Sequence, residues 1–316
     1  MNPIEAKPTT HVAICISTYL RPIGLERLLH SLERLEFRKN DGVSIQVIVV
    51  DNDAAGLSRP IVERAAARLP WPVRYAIEPQ RGVPFARNRA VALAAGCTYV
   101  AFVDDDEAVT PPWLDELLDA RRRFDADVVG GPAIAIFEAD PPRWVVDGGF
   151  FAYARYPSGT PIPHTSTNNV LMRRQVLDRI AGPFDPRFGM SGGSDSHLTT
   201  QLAQSGARLV WCDEAIVHEF VPASRVRTKW ILQRAYRVGT TAGLRAMELS
   251  PTAGQLAERA LRGVVCLAIG VGGLLPALFW RRAMLVRMLT YVARGVGIFF
   301  GLLGRRFEEY RTIHGT

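Results

Sequence analysis

Cysteine is scarce in this chain, and its four residues are scattered. Cys15, Cys97, Cys212 and Cys266 form no C-x-x-C pair and no metal-ligand spacing, which excludes a disulfide scaffold and a zinc module. Three of the four lie in apolar surroundings, so reduced, buried thiols in a cytoplasmic setting are expected. Met1 to Thr10 is polar and has no apolar core, so no secretory signal is predicted. Internal repeats and low-complexity segments are absent. No G-x-G-x-x-G follows the first apolar run and there is no Walker loop, which argues against a dinucleotide fold and a P-loop.

Acidic residues are nearly missing from one end. Residues 222–316 carry 4 Asp/Glu against 15 Lys/Arg, a net of +11, whereas residues 1–221 carry 27 against 23, a net of −4. A near-neutral head with a basic, apolar tail is not the footprint of an ordinary nucleic-acid binder, and no nucleic-acid partner is expected. It fits a tail resting on anionic membrane lipid. The chain is therefore read as a head, residues 1–221, and a helical, membrane-associated tail, residues 222–316.

The head is organised around Tyr99 to Glu107, in which five apolar or aromatic residues run into Asp104, Asp105, Asp106 and Glu107. The run reads as a strand buried on both faces, with acids at its carboxyl end, where open α/β sheets bind ligands. If extended geometry persists, Asp104 and Asp106 share a face. Adjacent carboxylates repel and call for a cation. Hard oxygens suit Mn²⁺ or Mg²⁺, which commonly bridges carboxylates to a substrate diphosphate. The alternative is a solvated acidic turn.

Around it, strands and helices alternate four times. Strands are expected at 11–16, 45–50, 72–78 and the acidic run. Helices are expected from Pro22, from Ser58 as cap to about Arg68, from Phe85 to Ala95 with Gly96 as the stop, and from Thr110 to about Phe124. That pattern predicts an α/β fold with a mainly parallel sheet and right-handed crossovers. Thr18, Asp51 and Asp104 each fall just past a strand and can converge on one crevice.

These segments carry a resemblance. Ile16 to Pro22, with Ser17 where Pro is common, Val49 to Asn52, Arg81 to Asn88 and Asp104-Asp105-Asp106 resemble, in order and spacing, four motifs of the inverting family 2 glycosyltransferases of the GT-A fold. The likeness covers about residues 10–222. Within the family it resembles exopolysaccharide enzymes of the succinoglycan glucosyltransferase type, which act on a lipid-linked acceptor. The resemblance implies a GT-A nucleotide-binding fold. It implies nucleotide-sugar contacts from Thr18, Tyr19, Arg21, Asp51, Arg87, Asn88, Asp104 and Asp105. It also implies a metal held by Asp104 and Asp106, with the late His218 as a further metal or diphosphate contact.

The acceptor half is less periodic. Trp144, Phe150, Phe151, Tyr153 and Tyr156 either stack on sugar faces or belong to the core. Asn168 and Asn169 either bind sugar hydroxyls or form a turn. In Phe188 to His197 the family usually reads Gly-Gly-Glu-Asp, with an acid as general base. Here Ser194 replaces Glu, which leaves Asp195 as the candidate base or else a helix cap. His197 is a weaker alternative, more in keeping with a hydrogen-bonded surface residue. Short strands are expected at Leu209–Trp211 and Ala215–Val217.

In the tail, basic and aromatic residues interleave from Arg225 to Arg237, as in an interfacial helix. Gly263 to Trp280 is uncharged for 18 residues, near the lower limit for a span, and its glycines and Pro276 weaken it. Met284 to Leu303 is apolar except for Arg287, Thr290 and Arg294, whose two arginines share a helical face. Nucleotide sugars are cytoplasmic, and a full hairpin would place Arg281-Arg282 outside, against the positive-inside rule. An interfacial or re-entrant arrangement at the cytoplasmic face of the inner membrane is expected. The whole reads as a metal-dependent inverting transferase that moves a hexose from a UDP-sugar to a lipid-linked or polysaccharide acceptor. A sugar nucleotidyltransferase would need a glycine-rich basic loop after the first strand, which Thr18 to Pro22 does not supply. A catalytically silent scaffold that binds nucleotide sugar is the other reading.

Overall fold

The computed structural model describes residues 10–189, 192–248, 252–278 and 281–305. The first strand, β1 (Thr10–Thr18), shows why the head layers as it does. Val12, Ile14 and Ile16 point to one face and Ala13 and Cys15 to the other, and all are buried. A strand apolar on both faces needs helices on both. One cover is α1 (Pro22–Leu32), whose Leu25, Leu28, Leu29 and Leu32 recur at helical spacing and are fully buried. At about 1.5–3 kcal/mol each, those four leucines alone fix the helix to the sheet. β2 (Val43–Asp51), α2 (Arg59–Ala66) and β3 (Val73–Ile77) extend the pattern. Ser58 stands at the cap position of α2 without capping it, because its backbone is already helical there and its side chain makes no capping bond. The opposite face of β1 is covered by α3 (Val83–Leu93) through Ala86 and Ala90. Beyond α3 the chain turns at Gly96, whose φ of +86° favours glycine. The wholly buried β4 (Tyr99–Val103) follows.

After β4 the chain makes β5 (Glu107–Val109), α4 (Trp113–Arg123), β6 (Val128–Gly130), β7 (Ala133–Phe137), α5 (Arg143–Asp147), β8 (Asn169–Arg173), α6 (Arg174–Leu177), α7 (Ser194–Gln204), β9 (Leu209–Trp211) and β10 (Val217–Val221). The main sheet has the order β3-β2-β1-β4-β8-β6-β9, and only β8 runs against the rest. Strand order reverses between β1 and β4. That switch point opens a crevice at the strands' carboxyl ends, where Thr18 and the acidic run lie. A small sheet, β5-β10-β7, stands beside it. The second late strand begins at Val217 rather than Ala215 and takes in His218 to Val221.

The tail forms α8 (Thr228–Glu248), α9 (Ala253–Leu278) and α10 (Arg282–Leu302). The glycines and Pro276 do not break α9, which is helical through them. Its glycines are contact points instead. A Cβ on Gly270 or Gly273 would strike Val292 or Met288 of α10. Gly239 and Gly243 of α8 face Gly297 and Gly301 of α10, a pair of G-x-x-x-G spacings that brings the two backbones together. A Cβ on Gly297 would lie 2.2 Å from the Tyr236 carbonyl oxygen, whereas one on Gly272 would meet nothing within 4 Å. Gly297→Leu is therefore expected to destabilise the protein by about 1–3 kcal/mol, the usual cost of overpacking. Gly272→Leu should melt like the wild type. Thermal unfolding in detergent compares the two.

By length and composition α9 and α10 can each cross a membrane, and Val271 and Leu275 are 58% and 71% exposed. Arg287 and Arg294 do share a face of α10, and both are largely exposed on it. Arg287 donates to the Gly148 carbonyl and Arg294 lines the cavity described below. β10 ends at Val221, where the head was expected to end, but the tail completes the head's packing. Ile231 and Val286 pack with Val145, Phe151 and Val221, and Trp230 stacks on Phe151 with ring centroids 5.7 Å apart.

Candidate active site

One cavity of about 1600 Å³ runs from the switch point across the head and along the tail helices. At its inner end lies the acidic run, and extended geometry does not persist into it. Asp104 leaves β4, Asp105 and Asp106 form a turn, and the Asp104 carbonyl accepts from the Glu107 N–H at 3.2 Å. The turn, not strand alternation, presents Asp104, Asp105 and Asp106 to the cavity. Gly24 of α1 makes this possible, since a Cβ there would lie 2.3 Å from the Asp105 carbonyl oxygen.

The chain supplies much of the expected cation itself. Arg87 donates to Asp104 at 2.8 Å. Arg21 bridges Asp105 and Asp106 at 2.9 and 3.0 Å. Arg225 donates to Asp106 at 3.0 Å and to Glu219 at 3.3 Å. Burial pushes Asp105 up to about 6 against the pull of Arg21. Burial also acts on Asp106, but Arg21 and Arg225 outweigh it and hold the group below the usual range. Burial, with Asp104 and Asp106 nearby, raises Glu107 well above its ordinary value. Glu107 is structural: its carboxylate accepts from the Asp104 N–H and from Asn168.

The donor set fits a divalent cation. The Asp104 carboxylate is 35% exposed and has one arginine, so an oxygen remains open to the cavity. Among the described residues no third acid or imidazole completes a ligand group with Asp104 and Asp106. Diphosphate and water would therefore fill the other positions, as Mg²⁺ commonly requires. On the same wall the Thr18 hydroxyl faces the Asp105 carboxylate, while the buried Ser17 hydroxyl makes no hydrogen bond among the described residues. Leaving such a group unpaired costs about 1–3 kcal/mol, which a polar ligand would recover. Tyr19 lines the wall with Arg81 over its ring at 5.1 Å.

Across the cavity stands Asp195. Met190 and Ser191 of its glycine-rich approach lie outside the described residues. Gly193, with φ +99°, occupies the cap position of α7, so Asp195 is in the first turn and is not the cap. Its Oδ1 accepts from the Ser196 N–H at 2.7 Å, and its other oxygen has no partner among the described residues. Asp195 also adds to the raising of Asp104, after burial and Asp106, so the two carboxylates sense each other across the space. His197 is a core residue and not a surface one. It is 2% exposed, packs on Phe188 and lies outside the cavity lining. Burial lowers its pKa.

Four expected contacts fall elsewhere. Asp51 is fully buried, and its carboxylate accepts from the N–H groups of Asp53 and Ser58 and from the Tyr75 hydroxyl. It holds the turn after β2, and Asn52 lines the cavity in its place. Asn88 clamps the Phe184 backbone with both amide atoms, at 2.7 and 2.9 Å. His218 is on the face of β10 opposite Glu219. Strand alternation sends Glu219 into the cavity and His218 away from it. Asn169 is buried and accepts from the Trp113 indole while donating to the Pro132 and Ala215 carbonyls. The aromatics divide. Phe151 is core, while Tyr153 and Tyr156 line the cavity.

Residues 13–181 match the profile of Glycosyl transferase family 2. The chain belongs to that family. It is 31% identical over 305 residues to the succinoglycan biosynthesis protein ExoM of Rhizobium meliloti, covering 96% of each chain. It is 24% identical to the glucosyl-dolichyl phosphate glucuronosyltransferase of Haloferax volcanii, over 61% of this chain and 64% of that one. Among solved structures, the fold is similar to the mannosyltransferase PcManGT from Pyrobaculum calidifontis in complex with GDP-Man and Mn²⁺, at 19% identity. The TM-score is 0.63, with 94% of this chain and 88% of the other covered. Staphylococcus aureus TarS 1-349 in complex with UDP aligns at TM-score 0.51 and 15% identity, covering 97% and 95%. The fold is GT-A-like and the chain is a glycosyltransferase.

For this family 2 glycosyltransferase, the sequence reading missed Arg225 and Glu219 as parts of the acidic network. It also missed the arginines that α8, α9 and α10 turn into the cavity. Arg225 looked like the first residue of a membrane-facing helix. Only the pairing of β10 beside β5 returns it to Asp106.

Proposed function

We propose that this enzyme transfers a hexose, with inversion, from a UDP-sugar to a lipid-linked or polysaccharide acceptor in exopolysaccharide biosynthesis at the cytoplasmic face of the inner membrane. UDP-glucose is the foremost donor. The observation that carries the reading is the open carboxylate of Asp195 across one cavity from the acidic turn at the switch point. Ser17, Thr18, Tyr19 and Arg81 border the nucleotide end. Asp195 takes the proton of the acceptor hydroxyl as that oxygen attacks the anomeric carbon. Arg87 positions Asp104, while Arg21 and Arg225 hold Asp106 in place. Mn²⁺ or Mg²⁺, held by Asp104 and Asp106, would stabilise charge on the departing diphosphate. The similarity to the succinoglycan biosynthesis protein ExoM supports a role in exopolysaccharide biosynthesis. The exposed apolar residues of α9 support the membrane assignment, with the helices lying in the interface.

A donor screen with the full chain in detergent tests the proposal. UDP release from UDP-glucose, with Mn²⁺ and a lipid-linked saccharide, is the expected outcome. Release of GDP alone from GDP-sugars would overturn the donor assignment. Flotation with anionic vesicles tests the membrane assignment, which fails if the chain stays behind at low and high salt.

A further inference from the structure

The outer half of the cavity is walled by the tail and is strongly cationic. Arg245 of α8, Arg259 of α9 and Arg294 of α10 converge on it from three helices. None of the three has an ion pair or hydrogen bond among the described residues. The neighbouring Arg262 is held by Glu258 at 2.5 Å. Arg245 is disfavoured as a cation first by burial and then by Arg259, with Asp195 opposing. Arg245 and Arg259 are half-buried and Arg294 stands at the exposed edge, and like charges gathered so are costly without an anion between them. Asp195 is the acid that Arg245 senses, which places this wall beside the candidate base.

The second observation is a gradient along α9. Its cavity-lining residues are Gln255, Glu258, Arg259 and Arg262 toward the N-terminus, with Leu261 among them, and then only the uncharged Val265, Cys266 and Ile269. From Arg259 to Ile269 the helix advances about 15 Å. Val265 and Ile269 are each 46% exposed. A free anion would use only the first half of this stripe, and a neutral lipid only the second. An amphiphile with an anionic head uses both.

We infer that Arg245, Arg259 and Arg294 bind the diphosphate that joins the acceptor saccharide to its lipid, and that the hydrocarbon leaves along Val265 and Ile269 of α9. This rests on the transferase reading above and adds the site that selects a lipid-linked acceptor. The diphosphate, held beside Asp195, would bring the saccharide's hydroxyl to the base. No bond to the diphosphate is made or broken.

The test uses farnesyl diphosphate as probe, with the full chain in neutral detergent and saturating UDP and GDP to occupy the donor end. The expected result is saturable binding that weakens at least ~10-fold in Arg245→Gln/Arg259→Gln, given the strength of charge-assisted hydrogen bonds. Arg294→Gln, on another helix, should act in the same direction and serves if the double variant fails to fold. Farnesol and inorganic pyrophosphate should each bind more weakly than the probe. Affinity unchanged by these substitutions, or a probe displaced by the nucleotides, overturns the site. Pyrophosphate binding as tightly as the probe overturns the lipid assignment. Transfer by the wild type is read separately: no UDP release with donor, Mn²⁺ and a lipid-linked saccharide, while probe binding is intact, would count against the transferase reading and not against this site.

Discussion

Asp195→Asn is expected to leave donor affinity near wild type while the transfer rate falls by at least ~10²-fold, the lower end of general-base contributions. The substitution keeps the side chain's size and its acceptor for the Ser196 N–H. What it removes is the second carboxylate oxygen as a base. Two other roles make different predictions. A purely structural role in the first turn of α7 predicts normal rates, because Gly193 already occupies the cap position and an amide oxygen can accept from Ser196. A metal-ligand role predicts loss of donor and metal affinity together. Initial rates and donor binding, measured on the same preparation, separate all three. Wild-type turnover would remove the base assignment. His197 could not inherit it without a rearrangement, since it is buried behind Phe188.

The core and the switch point were legible because they rest on short-range signals. Apolar runs at strand length, leucines at helical spacing and acids at a strand's end are local patterns with one physical solution. The expected donor contacts were legible as segments but less so as side chains. In Val49 to Asn52 the segment does reach the crevice. Burial, however, turns Asp51 into the turn and leaves Asn52 on the wall. His218 failed for a similar reason, because a one-residue difference along a strand reverses the face. Its neighbour Glu219 has the cavity instead. The arginine partners were illegible for another reason. Arg21 is 84 residues from Asp105, and Arg225 is 119 residues from Asp106. No periodicity reports a contact over such separations. Composition did show the excess of tail arginines, but it assigned them all to the membrane. The structure places Arg245, Arg259 and Arg294 along the cavity, the first two half-buried and the third exposed.

Asp104→Ala is expected to lower turnover by ~10²-fold or more and to abolish the cation-dependent part of donor affinity. The wild type should lose its activity in excess EDTA and regain it with Mn²⁺ or Mg²⁺. The competing account comes from the structure itself. Arg21, Arg87 and Arg225 already surround the acids, and three guanidinium groups could balance a departing diphosphate without any metal. The two accounts differ in sign at Asp104. Without a metal, removing this carboxylate takes one negative charge away from Arg87, which is only 8% exposed but borders the cavity, and so lessens the repulsion that the diphosphate meets there. Donor affinity should then rise. With a metal, the lost oxygen ligand outweighs the lessened repulsion, and affinity should fall only when Mn²⁺ or Mg²⁺ is present. Asp106→Ala is the companion variant. Arg21 keeps Asp105 and Arg225 keeps Glu219, so the fold should survive and any loss of rate belongs to the site. Titration calorimetry with and without EDTA reads the sign directly. Full wild-type turnover in excess EDTA, together with tighter donor binding by Asp104→Ala, would transfer the metal's role to the arginines.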